Sequence, residues 1–226
     1  LDLSGDYQGV ALLPLLLSTR ATIRAHVAAT MGKPAEANTY LDEALAYLHP
    51  PKPRLLAVGG LSGSGKSRMG RELAPLLAVP GAAVVRTDAL RKQILGVGLL
   101  DHLPPQAYDA ETGRKTYRAL CDTCAELLAA GHAVVADAVF ATPEQRAAIA
   151  AVAGDAGARF DGLWLWTTPE VAAARIEGRQ GNVSDATVAV LRRQLTIDPG
   201  PMDWTRIDTG GSKDAALAAG RAALCL

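Results

Sequence analysis

The stretch that decides the fold is Gly60-Leu61-Ser62-Gly63-Ser64-Gly65-Lys66-Ser67, a complete G-x-x-x-x-G-K-S sequence. Glycines in such a loop let successive backbone N–H groups turn toward phosphate oxygens without a Cβ in the way. The Lys66 ammonium can reach the β- and γ-phosphates, and the Ser67 hydroxyl can take one position on Mg²⁺. The stretch, called the P-loop below, therefore predicts that the chain binds a nucleoside triphosphate. The predicted nucleotide-binding residues are Gly60, Ser62, Gly63, Ser64, Gly65, Lys66 and Ser67.

The residues on both sides of the P-loop favour this interpretation. Residues 54–59 form an apolar run of strand length, and residues 67–77 carry apolar side chains at helical spacing. A strand, a glycine loop and a helix N-terminus in this order make an anion site from free amides and the helix dipole. The alternative, a glycine-rich turn without a ligand, leaves the lysine and the hydroxyl unexplained.

Apolar runs of strand length recur along the chain and alternate with helical patterns, which predicts an α/β fold with a doubly wound, five-stranded parallel sheet. The predicted strands after the first are 82–86, 132–137, 162–167 and 204–208. The predicted helices after the one that follows the P-loop are 89–95, 108–130, 143–154, 170–179 and a helix capped by Ser184-Asp185-Ala186 that reaches Ile197. Functional side chains gather at the carboxyl ends of such strands, where Ser67, Asp88 and Asp137 fall.

The first part of the chain is predicted to be separate from this fold. Helical spacing covers residues 7–30 and 35–48, and His49-Pro50-Pro51-Lys52-Pro53 then reads as a stiff, extended linker. We therefore expect a helical segment over 1–48, a linker over 49–53 and a domain that contains the P-loop over 54–226. Because the chain begins at Leu1 without a methionine, we expect it to be a piece of a longer polypeptide.

Composition narrows the functional classes. The 226 residues carry 23 basic and 23 acidic side chains, a formal net charge of zero, which argues against a general nucleic-acid binder. No apolar stretch reaches membrane-spanning length and no signal peptide is evident, so we expect a cytoplasmic protein without membrane contact. The three cysteines fit a reducing compartment, and Cys121 and Cys124 lie inside a helical pattern, where we expect them to pack.

Asp88 and Arg91 follow the second predicted strand, within Thr87-Asp88-Ala89-Leu90-Arg91-Lys92. A hydroxyl that accepts a phosphoryl group must lose its proton, and a positioned aspartate is the usual orienting base. Arg91 shares the helix face of Asp88 and could bind substrate. The alternative is that Asp88 caps the helix and that Arg91 is its surface salt-bridge partner.

Asp137 and two arginines complete the candidate site. Asp137 ends a buried strand, where a carboxylate needs a partner such as Mg²⁺ through a water, the substrate, or a structural hydrogen bond. Arg175 and Arg179 lie four apart after the fourth strand and could close over the phosphates, with solvated surface arginines as the alternative.

Four stretches together resemble the small predicted P-loop kinases of the AAA-family ATPase type, relatives of gluconate kinases, zeta toxins, polynucleotide 5′-hydroxyl kinases and adenylate-kinase-like enzymes. They are GGLSGSGKS, RTDALRK, AVVADAVF, and an R-x-x-x-R followed by SDATVAVLRRQ, and the resemblance covers residues 52–211. It implies ATP and Mg²⁺ as cofactors, Lys66 and Asp88 as catalytic residues, and catalytic lid arginines at Arg175 and Arg179. It places substrate at Asp88, Arg91 and Asp137, and metal at Ser67 and Asp137.

Residues 1–48 resemble the closing helices of an aminoglycoside-phosphotransferase-like lobe. Such lobes precede a P-loop kinase in some bacterial two-domain proteins, so the resemblance implies an upstream kinase-like domain in the full-length protein.

The sequence leaves three functions open. The first is an ATP-dependent kinase of a small-molecule hydroxyl, such as a sugar or an aminoglycoside-like compound, with its acceptor pocket within residues 94–117. The others are a nucleotide-dependent regulatory ATPase and a polynucleotide 5′-hydroxyl kinase, and the net charge of zero weighs against the last.

Overall fold

A five-stranded parallel sheet forms the centre of the protein, as predicted. The computed structural model describes residues 1–178 and 183–226, and of Pro105 only the backbone. The strands are β1 (Arg54–Gly60), β2 (Ala83–Arg86), β3 (Val134–Asp137), β4 (Arg159–Trp166) and β5 (Thr205–Asp208). Their order across the sheet is β2-β3-β1-β4-β5, and every neighbouring pair is parallel. The P-loop therefore leaves the central strand at the carboxyl edge.

The helices alternate with these strands, and both faces of the sheet are covered. They are α1 (Leu13–Thr30), α2 (Pro34–Leu48), α3 (Lys66–Leu77), α4 (Thr87–Ile94), α5 (Ala110–Ala129), α6 (Pro143–Asp155), α7 (Pro169–Glu177), α8 (Val188–Gln194) and α9 (Lys213–Ala223), with short 3-10 helices at Gln8–Leu12 and Pro105–Tyr108. Residues of β1 alternate between two apolar clusters: Leu55 and Ala57 pack with α5 and α6, and Leu56 and Val58 with α3 and α9. All of β1 is buried, as expected of a strand with helices on both faces.

Helix α8 begins later than predicted, and the expected cap at Ser184-Asp185-Ala186 is wrong. The cap residue is Thr187, whose Oγ1 accepts a hydrogen bond from the Val190 amide at 3.3 Å. The Asp185 carboxylate does not cap a helix because side chains from α4 and from the loop before α5 hold it instead.

Helices α1 and α2 form a hairpin, and the residues that precede α1 contact the α/β part of the protein. α1 and α2 pack on each other, and their buried positions are mainly alanines, among them Ala21, Ala28, Ala37 and Ala44. Tyr7 is buried in the same apolar cluster as β1 and α5. The division at residues 49–53 stays a prediction. Within the described ranges, no helix is both long enough and apolar enough to cross a bilayer.

The substitution Gly162→Ala tests the packing of β4 against the loop that carries Trp204. A Cβ at Gly162 would collide with the Trp204 indole, which is buried and lies 5.1 Å from the Phe140 ring between centroids. We expect a loss of about 1–3 kcal/mol in the free energy of unfolding, since overpacked cores must shift.

The control is Gly154→Ala near the end of α6, where a Cβ would meet nothing within 4 Å. This change should stabilise the protein by up to about 1 kcal/mol, because alanine favours the helix. Urea unfolding followed by circular dichroism measures both, and equal midpoints for the two variants would contradict the packing.

Candidate active site

The P-loop has the backbone shape that an anion site needs. Gly60, Gly63 and Gly65 have φ values of 134°, 86° and 92°, all in the region that favours glycine. A Cβ at Gly60 or Gly63 would collide with the backbone of Leu165 or Ala172, whereas a Cβ at Gly65 would meet nothing within 4 Å. The loop thus packs closely against β4 and α7 at Gly60 and Gly63, and it is open at Gly65, at the N-terminus of α3.

The polar atoms of the P-loop are partly held by other parts of the chain. The Thr209 hydroxyl donates to the Ser64 carbonyl at 2.9 Å, and Lys66 Nζ donates to the Leu61 carbonyl at 3.0 Å. The Ser62 amide donates to Gln194 Oε1 at 2.8 Å. Ser64 Oγ is buried and makes no hydrogen bond to the described residues. This orphaned hydroxyl and the open face at Gly65 fit the binding of phosphate oxygens.

A cavity of about 490 Å³ lies over the P-loop and brings together most of the predicted site. Asp88, Arg91, Asp137 and Arg175 all line it, together with P-loop residues 62–67. Side chains from four different strand–helix connections therefore face one space, because the carboxyl ends of parallel strands meet at one edge of the sheet.

Asp88 and Arg91 face this cavity from α4, and the alternative of a helix cap with a surface salt bridge is not what the structure has. Arg91 is buried, its Nη1 donates to the Ala107 carbonyl at 3.1 Å, and its guanidinium lies 4.8 Å from the centre of the Tyr108 ring. Arg91 Nε is buried and has no hydrogen-bond partner among the described residues. Asp88 is half-buried in the first turn of α4, and its side chain does not cap that helix.

Asp137 is buried and pairs with Arg86, the residue before α4. Arg86 Nε donates to Asp137 Oδ2 at 3.3 Å, and Nη2 donates to Ser67 Oγ at 3.2 Å. A third hydrogen bond runs from Nη1 to Asp2 Oδ2 at 3.1 Å. Burial opposes the charge of Arg86, but Asp137 and Asp2 outweigh it and raise the pKa of Arg86 above its ordinary value.

The two predicted metal ligands therefore lie close together around a guanidinium. In the described ranges, no group of three or more histidine, cysteine, aspartate or glutamate side chains is placed to hold a metal ion. A divalent cation could take both Ser67 and Asp137 only beside or in place of the Arg86 charge. As arranged, these residues do not fit Mg²⁺ bound by Ser67 and Asp137 alone, and their assignment to metal stays a prediction.

Arg175 lines the cavity from α7, and Arg179 lies outside the described residues. Arg175 Nη2 donates to the Thr209 carbonyl at 2.6 Å, so this guanidinium ties α7 to the loop after β5. Because Thr209 also bonds to the P-loop, Arg175 lies next to the predicted phosphate site. Its catalytic role stays a prediction.

Asp185 connects the segment before α8 to α4 and to Tyr108 at the cavity wall. Its buried carboxylate lies 3.3 Å from Lys92 Nζ and accepts from the Tyr108 hydroxyl at 3.2 Å. His102 Nδ1 and the Leu103 amide lie 3.0 and 3.3 Å from the same carboxylate. Burial and the nearby carboxylates raise the pKa of Tyr108, which keeps its hydroxyl a donor.

The sequence interpretation missed Asp185 as a site-forming residue, and it missed Gln194 and Arg86. Asp185 bonds to Lys92, 93 residues away, Gln194 bonds to Ser62, 132 residues away, and Arg86 bonds to Asp137, 51 residues away. No local sequence pattern predicts contacts of this range. The proposed acceptor region 94–117 contributes Tyr108 and Tyr117 to the cavity. By contrast, Lys115 pairs with Glu111 at the surface, and Asp101 accepts from the Gly98 amide.

The cysteine pair packs in α5, as expected. Cys124 is fully buried and Cys121 is partly buried, and both thiols are free. Burial raises the pKa of both, which disfavours the thiolate.

The substitution Asp185→Asn tests the connection between the segment before α8 and α4. It removes the charge that compensates Lys92, whose side chain is only 1% exposed. We expect the free energy of unfolding to fall by about 3 kcal/mol, because an uncompensated buried charge remains. The Leu103 amide should also exchange its hydrogen faster.

The control is Asp198→Asn, an exposed aspartate that accepts from the Gly200 amide, which should change stability by less than about 0.5 kcal/mol. Adding Lys92→Met to Asp185→Asn should restore part of the loss. Denaturant unfolding and hydrogen exchange measure these effects, and an Asp185→Asn protein as stable as the control would show that the pair contributes little.

The fold and the site define a P-loop nucleotide-binding protein, with the loop on the central strand and charged side chains on the neighbouring strand ends. The chain belongs to the AAA domain family (AAA_33), whose model matches residues 55–197.

The curated relatives include uncharacterized proteins of Mycobacterium tuberculosis and Mycobacterium bovis. Each is 31% identical to this chain over an alignment of 228 residues, gaps included, that covers 95% of this chain and 44% of the relative. The chain thus spans less than half the length of these relatives.

Solved kinases share the fold. A gluconokinase from Sinorhizobium meliloti aligns with a TM-score of 0.56 and 23% identity, over 77% of this chain and 93% of its own. The APS kinase of Mycobacterium tuberculosis, solved with AMPPNP and APS, aligns with a TM-score of 0.55 and 22% identity, over 78% and 99%. A sugar kinase from Janibacter aligns with a TM-score of 0.56 and 20% identity, over 76% and 95%.

Proposed function

We propose that the chain transfers the γ-phosphoryl group of ATP to a hydroxyl of a small molecule. The observation that carries this proposal is that the P-loop and Asp88 line the same cavity of about 490 Å³. A cavity that holds the donor phosphates on one side and a carboxylate on the other has both halves of a phosphoryl-transfer site.

The P-loop is the donor half. The amides at the start of α3 and the Lys66 ammonium would hold the β- and γ-phosphates, with the positive end of the helix dipole behind them. The Ser62 amide is now bonded to Gln194, so a phosphate oxygen that takes this donor must displace the Gln194 side chain. Gln194 is the last residue of α8, and a change of its side-chain rotamer would free the Ser62 amide.

Asp88 would act in the acceptor half. Its carboxylate takes the proton of the acceptor hydroxyl while the acceptor oxygen forms a bond to the γ-phosphorus and the bond from that phosphorus to the leaving ADP oxygen breaks. Mg²⁺, which the family resemblance implies, supplies charge neutralisation when bound. Its predicted ligands, Ser67 and Asp137, bond to Arg86 here.

Arg91, Tyr108 and Tyr117 would bind the acceptor. Arg91 is fixed by the Ala107 carbonyl and by the Tyr108 ring, and the guanidinium has further N–H groups that could donate to a ligand. The Tyr117 hydroxyl accepts from the Phe140 amide at 2.9 Å, which holds this ring at the cavity wall. A guanidinium and two tyrosine side chains at one cavity wall suit a compact polar acceptor.

The longer relatives leave room for a second activity in the full-length protein. We propose that residues 1–48 are the closing helices of an upstream phosphotransferase-like lobe. Apolar side chains such as Leu16, Ile23 and Leu45 are exposed on α1 and α2 and would pack against that lobe. This proposal is independent of the transfer reaction assigned to residues 54–226.

The experiment that tests the main proposal screens ATP consumption over sugars, aminoglycosides and nucleosides, with and without a 5′-hydroxyl oligonucleotide. We expect one class of small hydroxyl compound to stimulate ADP release and to yield a phosphorylated product by mass spectrometry. Slow hydrolysis that no hydroxyl compound stimulates, but that a partner protein does, would instead favour the regulatory ATPase. Labelling of the oligonucleotide that weakens steeply with salt would favour the polynucleotide kinase.

The substitution Asp88→Asn tests the base. It keeps the size of the side chain and removes its ability to accept a proton, so we expect kcat to fall by about 10²–10⁴-fold. ATP affinity, measured by equilibrium dialysis, should stay at the wild-type value because Asp88 faces the acceptor.

Glu144→Gln is the matched control, since Glu144 is also an acidic residue in the first turn of a helix but lies outside the cavity. Its kcat should equal that of the wild type. Full transfer activity in Asp88→Asn would rule out Asp88 as the base.

A further inference from the structure

The Arg86 guanidinium lies between the two oxygens that the sequence assigns to Mg²⁺. It donates to Asp137 at 3.3 Å and to Ser67 Oγ at 3.2 Å, and its side chain is only 4% exposed. The contact is therefore a built feature of the interior and not a surface ion pair. One arrangement of the Arg86 side chain makes both hydrogen bonds, to Asp137 and to Ser67, at the same time.

The position of Arg86 is fixed by the backbone on both sides. It is the last residue of β2 and the N-cap residue of α4, directly before Thr87 and Asp88. In the sheet register it stands opposite Asp137, the last residue of β3. A long side chain at this position reaches across the carboxyl edge of the sheet toward the P-loop on β1.

The charge of Arg86 is balanced within the chain. Asp137 and Asp2 both contact the guanidinium, so two carboxylates and one hydroxyl oxygen surround it. A divalent cation at Ser67 and Asp137 would stand beside this positive charge, and repulsion between like charges is strong where little water screens it.

We infer that Arg86 is a resident cation of the phosphate site, which holds Ser67 and Asp137 in the nucleotide-free chain and competes with free divalent metal for them. The inference rests on the proposed function only in assigning Ser67 to the phosphate site. It makes Arg86 a positioning residue, since it acts through two other side chains. A merely structural ion pair would instead affect stability and leave metal affinity unchanged.

The test is binding of Mn²⁺ alone to the nucleotide-free chain, measured from the electron paramagnetic resonance signal of the free aquo ion. The wild type should bind Mn²⁺ weakly, and Arg86→Met should bind at least about tenfold tighter, because a neighbouring like charge has been removed. Arg86→Lys keeps the charge and should stay within about threefold of the wild type.

Arg54→Met is the matched control. Arg54 is also a buried arginine paired with an aspartate, Asp161 at 2.6 Å, but it lies at the start of β1, the end of the strand opposite the P-loop. This variant loses a buried ion pair without touching the site, so its Mn²⁺ affinity should equal that of the wild type.

Equal Mn²⁺ affinities in the wild type and Arg86→Met would overturn the inference. If circular dichroism shows that Arg86→Met does not fold, the comparison of the wild type with Asp137→Asn decides. Both should then bind Mn²⁺ weakly, and tight wild-type binding that is lost in Asp137→Asn would show that metal binds beside Arg86. ATP binding is measured separately by equilibrium dialysis. A chain that does not bind ATP would refute the proposed function, while the Mn²⁺ comparison would still decide the role of Arg86.

Discussion

Close backbone packing behind the P-loop is the constraint on which the rest of the site depends. Gly60 and Gly63 both have positive φ values and lie directly against the backbone of Leu165 in β4 and of Ala172 in α7. A Cβ at either position would collide with that backbone, so the loop packs closely against β4 and α7. The same contact curves the amides toward a phosphate and sets Arg175, on α7, beside them. The shape of the P-loop is thus set by the backbone packed against it.

The parts of the fold that depend on consecutive residues could be predicted from the sequence. The strand before the P-loop, the helix after it and the carboxylates at strand ends follow from period, glycine placement and chain direction, and the parallel sheet confirms them. The start of α8 could not, because Ser184-Asp185-Ala186 has the local chemistry of a helix cap. Asp185 is instead held by Lys92 and Tyr108, which lie 93 and 77 residues away. A carboxylate that compensates a buried charge elsewhere in the fold is not available to cap the local helix.

The same reasoning explains the errors and omissions in the site. Arg91 has the spacing of a surface partner for Asp88, yet it is buried because Tyr108 provides an aromatic face for its guanidinium. Gln194 reaches the Ser62 amide only because α8 packs over the P-loop, and nothing in its own neighbourhood in the sequence predicts that contact. The sequence motif predicted the P-loop residues. The side chains that contact them, such as Gln194, come from distant parts of the chain and depend on tertiary packing.

Two buried ion pairs hold α4 at its two ends, and this arrangement gives Asp88 and Arg91 their positions. Arg86, at the N-cap, pairs with Asp137 on the neighbouring strand, and Lys92, near the other end of the helix, pairs with Asp185. Burying such pairs costs desolvation energy, so they are poor sources of stability by themselves. What they provide is position, since both ends of α4 are bonded to other parts of the chain. Arg86 bonds to Asp137, Asp2 and Ser67, and Lys92 bonds to Asp185 and the Leu99 carbonyl. Asp88 and Arg91 lie between the two pairs on this short helix, and a shift of the helix toward the P-loop would have to break one of them. The position of Asp88 and Arg91 relative to the P-loop is therefore set by Arg86 and Lys92, which need not take part in the proposed transfer.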